Sequence, residues 1–236
     1  MVTYFNLTRP DSERLLADTA EGAPEAEIEV LQCPITDEHL DGSKRVSELA
    51  WQVTHNDKGE LLIWDWIEGC VVHRRVLDEF VKRGLTGYRL KPATVRFRDG
   101  IVSNDYCELI VTGWAGVARR ESGIRVVKNC PACHWKTYSA LQDVEQLVDW
   151  NQWTGEDFFI VWPLPKFILV TERAAQTLLE LKTRSFRLRG LLEDVDPMVR
   201  ELGFTVSRLS NFFLTIWRRS MENHWVSNSC VLFGCC

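Results

Sequence analysis

Between Glu60 and Trp66, and again over Cys70–Val72, the chain is apolar at most positions, the pattern of short buried strands. From His73 to Arg83 the spacing changes. Val76, Leu77, Phe80 and Val81 recur at helical intervals, and Gly84 is placed to end a helix in the left-handed conformation. Tyr88–Leu90 begins another strand, Thr94–Phe97 alternates apolar with basic residues, and Tyr106–Val111 is strand-like again. A similar succession returns downstream. Phe158–Trp162 and Phe167–Val170 read as strands, with Pro163 and Pro165 breaking the run between them. Thr171 is a natural N-cap, and Glu172 lies in the first turn, where the helix dipole favours a carboxylate. Ala174, Ala175, Leu178 and Leu179 then form an apolar face on a helix reaching Leu181, and Phe186–Leu188 returns as a strand. Tyr4–Leu7 predicts one more short strand.

Leu61–Lys91 and Phe159–Arg189 align without a gap at an offset of 98 residues. Trp64 matches Trp162, Val72 matches Val170, Arg75 matches Arg173, Arg89 matches Arg187 and Leu90 matches Leu188. These are five identities in 31 positions; the shared hydrophobic register carries more weight than the identities. The pattern predicts an α+β fold of two similar strand–strand–helix–strand units, a mostly antiparallel sheet and a separate cysteine knuckle. The expected division is 1–60 (first strand, acidic loop and a degenerate Cys motif), 61–128 (first unit), 129–156 (knuckle and linker), 157–195 (second unit) and 196–236 (tail).

Composition narrows the function classes. A net charge of −5 and ten Trp in 236 residues give no general attraction to phosphate backbones but ample material for a binding surface. Nucleic acid is therefore a poor partner and a basic protein a better one. Asp11–Glu29 carries seven carboxylates against one Arg and reads as a solvated loop. The amino-terminal residues lack a basic region followed by an apolar core, and no apolar run approaches the roughly 20 residues that span a bilayer. A cytoplasmic protein without a membrane segment is expected. The eight Cys lack the dense, regular spacing of a secreted disulfide scaffold.

Asn129-Cys130-Pro131-Ala132-Cys133-His134 is the sharpest chemical motif. A CPxC turn points two sulfurs to one side, as a tetrahedral thiolate site requires, and supplies two ligands of four. Cys33-Pro34-Ile35-Thr36 looks like the same turn with its second Cys replaced by Thr36, and His39 follows six residues after Cys33. Cys33, Cys130, Cys133 and a His, with His134 directly after the pair, form the candidate ligand set for structural zinc; a metal-free vestige and a redox pair are the alternatives. Cys70 and His73 are a weaker nucleophile–base candidate, and His55 sits in a predicted turn.

These features together resemble the double-CxxCG motif proteins of myxobacteria. Members carry an early CPxCG, a helix followed by a Gly-bearing loop and an aromatic–Arg strand, a second CPxCG, and then an Asp-x-Phe segment leading to a Glu-Arg helix. Here those features are Cys33-Pro34, then Leu85-Thr86-Gly87-Tyr88-Arg89, then Cys130-Pro131-Ala132-Cys133, then Asp157-Phe158-Phe159 through Val170-Thr171-Glu172-Arg173. The order agrees over roughly residues 4–192. Thr36 replaces the second Cys of the first motif, Asp37 stands where its Gly would be, and His134 replaces the Gly of the second. The resemblance implies an immunity protein that binds and occludes a cognate polymorphic toxin, without chemistry of its own. A zinc-ribbon adaptor and a thiol-dependent enzyme are the other expectations.

For a toxin-binding surface, Trp51, Trp114, Trp150 and Trp153 lie in polar or turn-rich sequence, unlike Trp64 and Trp162, whose neighbours are apolar. Asp143, Glu145, Asp149, Glu156 and Asp157 are candidates for a charge field that steers a basic partner.

Overall fold

The computed structural model describes residues 4–10, 16–19, 28–30, 33–36, 43–45, 49–53, 58–65 and 69–189. Asp37, His39, His55, most of the acidic 11–29 stretch and the 196–236 tail lie outside the described residues. The strands in chain order are β1 (Tyr4–Thr8), β2 (Ala17–Thr19), β3 (Ile28–Val30), β4 (Ser43–Arg45), β5 (Leu49–Val53), β6 (Leu62–Trp64) and β7 (Cys70–His73). Helix α1 (Arg74–Lys82) follows, then β8 (Tyr88–Arg96), β9 (Val102–Val111), β10 (Gly113–Val117), β11 (Val126–Asn129), β12 (Lys136–Tyr138), β13 (Phe158–Trp162), β14 (Leu164–Thr171), α2 (Glu172–Glu180) and β15 (Arg187–Arg189). The fold is mixed α/β, rich in strands, with two helices among the described residues and largely antiparallel sheets. Among those residues no helix is long and apolar enough to cross a membrane.

The described residues divide into two compact units. One gathers 4–10, 16–19, 49–53, 58–65, 69–116 and 150–189; the other gathers 28–30, 33–36, 43–45 and 117–149. This division cuts across the expected one. The 129–156 segment is split at Trp150, and the first 60 residues contribute to both units.

The first unit holds two sheets. The six-stranded sheet runs β2-β5-β8-β9-β7-β6, all antiparallel except the β5–β8 pair. A parallel bridge from Leu16 to Trp64 joins its two ends, so the sheet closes on itself. Ala17, Val53, Ile63, Val71, Val95 and Tyr106, one from each strand, point into the closed interior. Trp51 belongs to this interior and is only 4% exposed. The expectation of a surface Trp51 is therefore corrected. Its polar neighbours Gln52 and Thr54 hid a strand in which alternate residues, Trp51 and Val53, face inward.

The five-stranded sheet runs β10-β13-β14-β1-β15. Within it, β13-β14-β1-β15 has the pairing pattern of β6-β7-β9-β8 in the first sheet, with β1 standing where β9 stands. The registers of β14-β1-β15 and β7-β9-β8 agree. His73 lies opposite Tyr106 and Thr171 opposite Tyr4; Leu90 lies opposite Leu109 and Leu188 opposite Leu7. The helices start and end 98 residues apart, and their caps do too. His73 Nδ1 accepts the Arg75 N–H, while Thr171 Oγ1 accepts the Ala174 N–H. At the other end Gly84 (φ +61°) and Lys182 (φ +50°) both turn left-handed.

One part of the sequence match fails. Strand β13 pairs Phe158 with Val170, whereas β6 pairs Leu62 with Val72, so the gap-free alignment is two residues out of register there. A slip of two preserves the faces but moves the ends. Trp64 is buried, and its indole N–H donates to the Ser185 carbonyl at 2.8 Å; Trp162, its supposed match, is 38% exposed. The break expected between β13 and β14 narrows to the cis Trp162–Pro163 link, with Pro165 inside β14.

Both helices bury Val76, Leu77 and Phe80, or Ala174, Ala175 and Leu178, in one core with Leu7, Leu109, Phe158 and Val170. The expected apolar faces were each one residue too wide. Val81 is 73% exposed and Leu179 is 56% exposed, and these positions also lie 98 apart. Asp157 ties the halves together. It is buried, its carboxylate accepts the Thr86 N–H at 2.9 Å and the Thr171 hydroxyl at 2.8 Å, and Arg173 donates two bonds to it.

Candidate metal centre and aromatic surface

The second unit contains two antiparallel hairpins, β3–β4 and β11–β12, and each carries a Cys-Pro turn in its connection. The β11–β12 connection is tight. Cys130 N–H donates to the Trp135 carbonyl at 2.8 Å, and His134 N–H donates to the Cys130 carbonyl at 3.0 Å. This folds Pro131 and Ala132 over and leaves the backbone N–H groups of Ala132 and Cys133 bonded to the Cys130 sulfur. His134 closes the turn at φ +59°, a left-handed conformation that glycine adopts at least cost.

Cys33, Cys130 and Cys133 come together, with all three sulfurs within 4.8 Å of one another. Cys33 Sγ lies 3.9 Å from Cys130 Sγ. That is far beyond the roughly 2.05 Å of a disulfide. It matches the separation of about 3.8 Å that two sulfurs have when each sits about 2.3 Å from a tetrahedral zinc. The donor set fits a thiophilic divalent ion: three soft sulfurs, two of them buried. Backbone N–H groups from Cys133 and Ala132 lower the Cys130 thiol to about 6. Burial, with the neighbouring sulfurs, pushes Cys133 up to about 11. A metal must displace the proton from each thiol, so the triad starts with one thiolate supplied near neutral pH.

His134 is exposed and does not join the cluster, so it is dropped from the expected ligand set. Its place at positive φ gives it a backbone role instead. Among the described residues no further His, Cys, Asp or Glu completes the group. Cys70 and His73 do not form a reactive pair: Cys70 is buried in the main core, and the His73 Nδ1 atom is used as the α1 cap.

The first unit presents the aromatic candidates. Trp150 and Trp153 meet edge-to-face at 5.5 Å. Tyr4 packs on Trp150 at 5.4 Å, and Phe159 backs both Tyr4 (6.1 Å) and Trp153 (5.9 Å). Phe159 is fully buried, while Tyr4, Trp150 and Trp153 are half-buried. Trp114 joins through its backbone: its N–H donates to Thr154 Oγ1 at 3.3 Å, and its carbonyl accepts the Thr154 N–H at 3.1 Å. Two of the four expected surface Trp thus pack together, Trp114 is tied by its backbone to Thr154 next to Trp153, and the sequence alone did not show Tyr4 and Phe159 as support for the pair. Alternation marks Phe159 on the opposite face of β13 from core Phe158.

Of the expected acidic residues, Asp143 and Glu145 are exposed and Asp149 and Glu156 are half-buried. Asp157 is not available for steering, because it is buried and bonded to Arg173.

No protein-family model matches this sequence, and no curated protein matches it.

Proposed function

We propose that this chain is an immunity protein that neutralises a cognate protein toxin by occluding it, and that its two sheet-and-helix halves are copies of one unit. The observation that carries the binding role is the Trp150–Trp153 pair, half-buried and braced from behind by Tyr4 and Phe159. Aromatic side chains held rigid before contact lose little entropy on binding, and such residues dominate interface energies. The motif order that resembles immunity proteins supplies the partner class. The matching strand orders and registers support the duplicated unit. Neutralising an intracellular toxin demands sub-nanomolar affinity, more than about 12 kcal/mol. Exposed Asp143 and Glu145, on a chain of net charge −5, favour fast encounter with a basic partner.

The test is co-expression with the toxin encoded beside this protein. Growth should be restored and the two proteins should co-purify one to one. Replacing Trp150 and Trp153 together by Ala should weaken the complex by about 30-fold or more, as expected of hot-spot residues. Rescue of growth without a detectable complex overturns occlusion.

The cysteine triad favours a second reading, a zinc-ribbon-type adaptor in which the metal knuckle itself makes the contact. The two readings separate cleanly. An adaptor loses its partner when Cys130 and Cys133 become Ser and is indifferent to the Trp changes.

A further inference from the structure

We infer that the cysteine triad holds a divalent metal through three thiolates, and that the fourth coordination position is open to an exchangeable donor. The inference rests on the metal reading above and deepens it. Three observations carry it. First, the cluster consists of Cys33, Cys130 and Cys133, and no fourth ligand atom joins it among the described residues. Second, the two Cys-Pro turns are unequal. In Cys130-Pro131-Ala132-Cys133 the residue three after the first Cys brings a second sulfur into the cluster. In Cys33-Pro34-Ile35-Thr36 the same place is held by half-buried Thr36, whose neutral hydroxyl is a poor ligand beside thiolate. Third, His134 is held by its left-handed backbone as the turn-closing residue, with its ring outside the cluster.

Structural zinc sites are closed by four protein ligands, whereas a site with three keeps a position for water or another donor. Three thiolates on a divalent ion leave a net charge of −1 at the centre. The position therefore suits a neutral donor, water by default and an imidazole nitrogen or a thiol when offered. Losing one sulfur converts a closed, purely structural knuckle into one that can be ligated from outside.

The experiment is cobalt substitution of the full chain, followed by visible absorption. Wild type should take up one equivalent of cobalt. Its sulfur-to-metal charge-transfer band should have about three-quarters of the intensity seen in Thr36→Cys, which restores a fourth sulfur. Added imidazole or 2-mercaptoethanol should shift the ligand-field bands of wild type and leave those of Thr36→Cys unmoved. His134→Ala should behave as wild type. Bands in wild type that ignore both added donors overturn the inference, as does a spectrum that changes in His134→Ala or His39→Ala. Failure of wild type to bind either cobalt or zinc overturns the metal reading itself, a different result from a bound ion with a closed shell. Thr36→Ser checks that substitution at this position does not by itself unfold the site; it should bind cobalt and respond to imidazole as wild type does.

Discussion

The carboxylate of Asp157 accepts the backbone N–H of Thr86 at 2.9 Å across 71 positions of sequence. The same carboxylate accepts from Thr171 and from the Arg173 guanidinium, which also reaches the Gly84 carbonyl. Burial alone would raise this carboxyl. The bonds from Arg173, Thr86 and Thr171 outweigh it and hold Asp157 below its ordinary value. A carboxylate with a depressed folded pKa adds stability that is full above its unfolded pKa of about 3.9 and is lost as pH falls through the folded value. Asp157→Asn should cost about 1.5–3 kcal/mol at pH 7, the range for hydrogen bonds to a charged group. It should also flatten the stability profile below about pH 4. Urea melts of both proteins at pH 3 and pH 7 test this; equal losses at the two pH values would assign the bonds no charge component.

His73 caps α1 through Nδ1, an acceptor only while that nitrogen is unprotonated. Burial and then Arg75 lower its pKa, with Arg74 acting in the same sense and Asp105 and Asp78 opposing. Stability from this cap is therefore full above about pH 6.5 and is lost as pH falls through the lower folded value. His73→Thr copies the α2 cap, Thr171. It should match wild type at pH 8 and remove the pH dependence that sets in below about 6.5. His73→Ala should cost about 0.5–2 kcal/mol at pH 8.

Phe80 and Leu178 occupy the same place on their helices and are fully buried. Phe80→Ala should cost about 3–5 kcal/mol and Leu178→Ala about 2–5 kcal/mol. Their neighbours Val81 and Leu179 face solvent, so Val81→Lys and Leu179→Lys should each change stability by less than about 0.5 kcal/mol. Denaturant midpoints for the four variants check the boundary of the core one residue at a time.

Two glycines separate backbone strain from crowding. Gly84 (φ +61°) has open space around a would-be Cβ, so Gly84→Ala should cost about 1–2 kcal/mol from its backbone conformation. At Gly87 (φ +90°) a Cβ would sit 2.0 Å from the Phe158 carbonyl oxygen. Gly87→Ala must therefore displace β13 and should cost well over 3 kcal/mol, the tail of single-mutant effects. Thermal melts with similar losses at both positions would refute the close approach.

His134 has the left-handed backbone without being glycine. His134→Gly should relieve up to about 1 kcal/mol and leave metal stoichiometry unchanged, measured by elemental analysis beside a denaturant melt. A loss of bound metal in this variant would return the imidazole to the ligand set.

Helix periodicity, the Gly84 terminator and the Thr171 cap were legible because each depends on residues within one or two turns. So was the pairing of Cys33 with the CPxC turn, because two like motifs signal one site. The failures are non-local. Trp51 looked exposed because its immediate neighbours are polar, and closure of the sheet through Leu16 and Trp64 cannot be seen in a window of ten residues. Trp162 looked buried because its neighbours are apolar, and it was matched to Trp64 by identity, while the hairpin sets the register of β13 two residues away and leaves Trp162 exposed. Tyr4 and Phe159 are brought together beside Trp150 and Trp153 by the pairing of β1 and β13 with the two sides of β14, which only the assembled sheet reveals.

The place of β1 bears on the order in which the molecule can be made. Leu90 finds Leu109 only 19 positions away, so the β8–β9 hairpin can close as soon as that stretch leaves the ribosome. Leu7 finds Leu188 after 181 positions, and its other partner, Ile168, is almost as distant. The extra loop entropy is modest, about 2 kcal/mol for a roughly ninefold longer closure. The delay is the larger effect: β1 must wait for its partners β14 and β15 to emerge. The half around α1 can therefore mature on the nascent chain, while the half around α2 is sealed by a strand made long before it, and that long-range return slows folding.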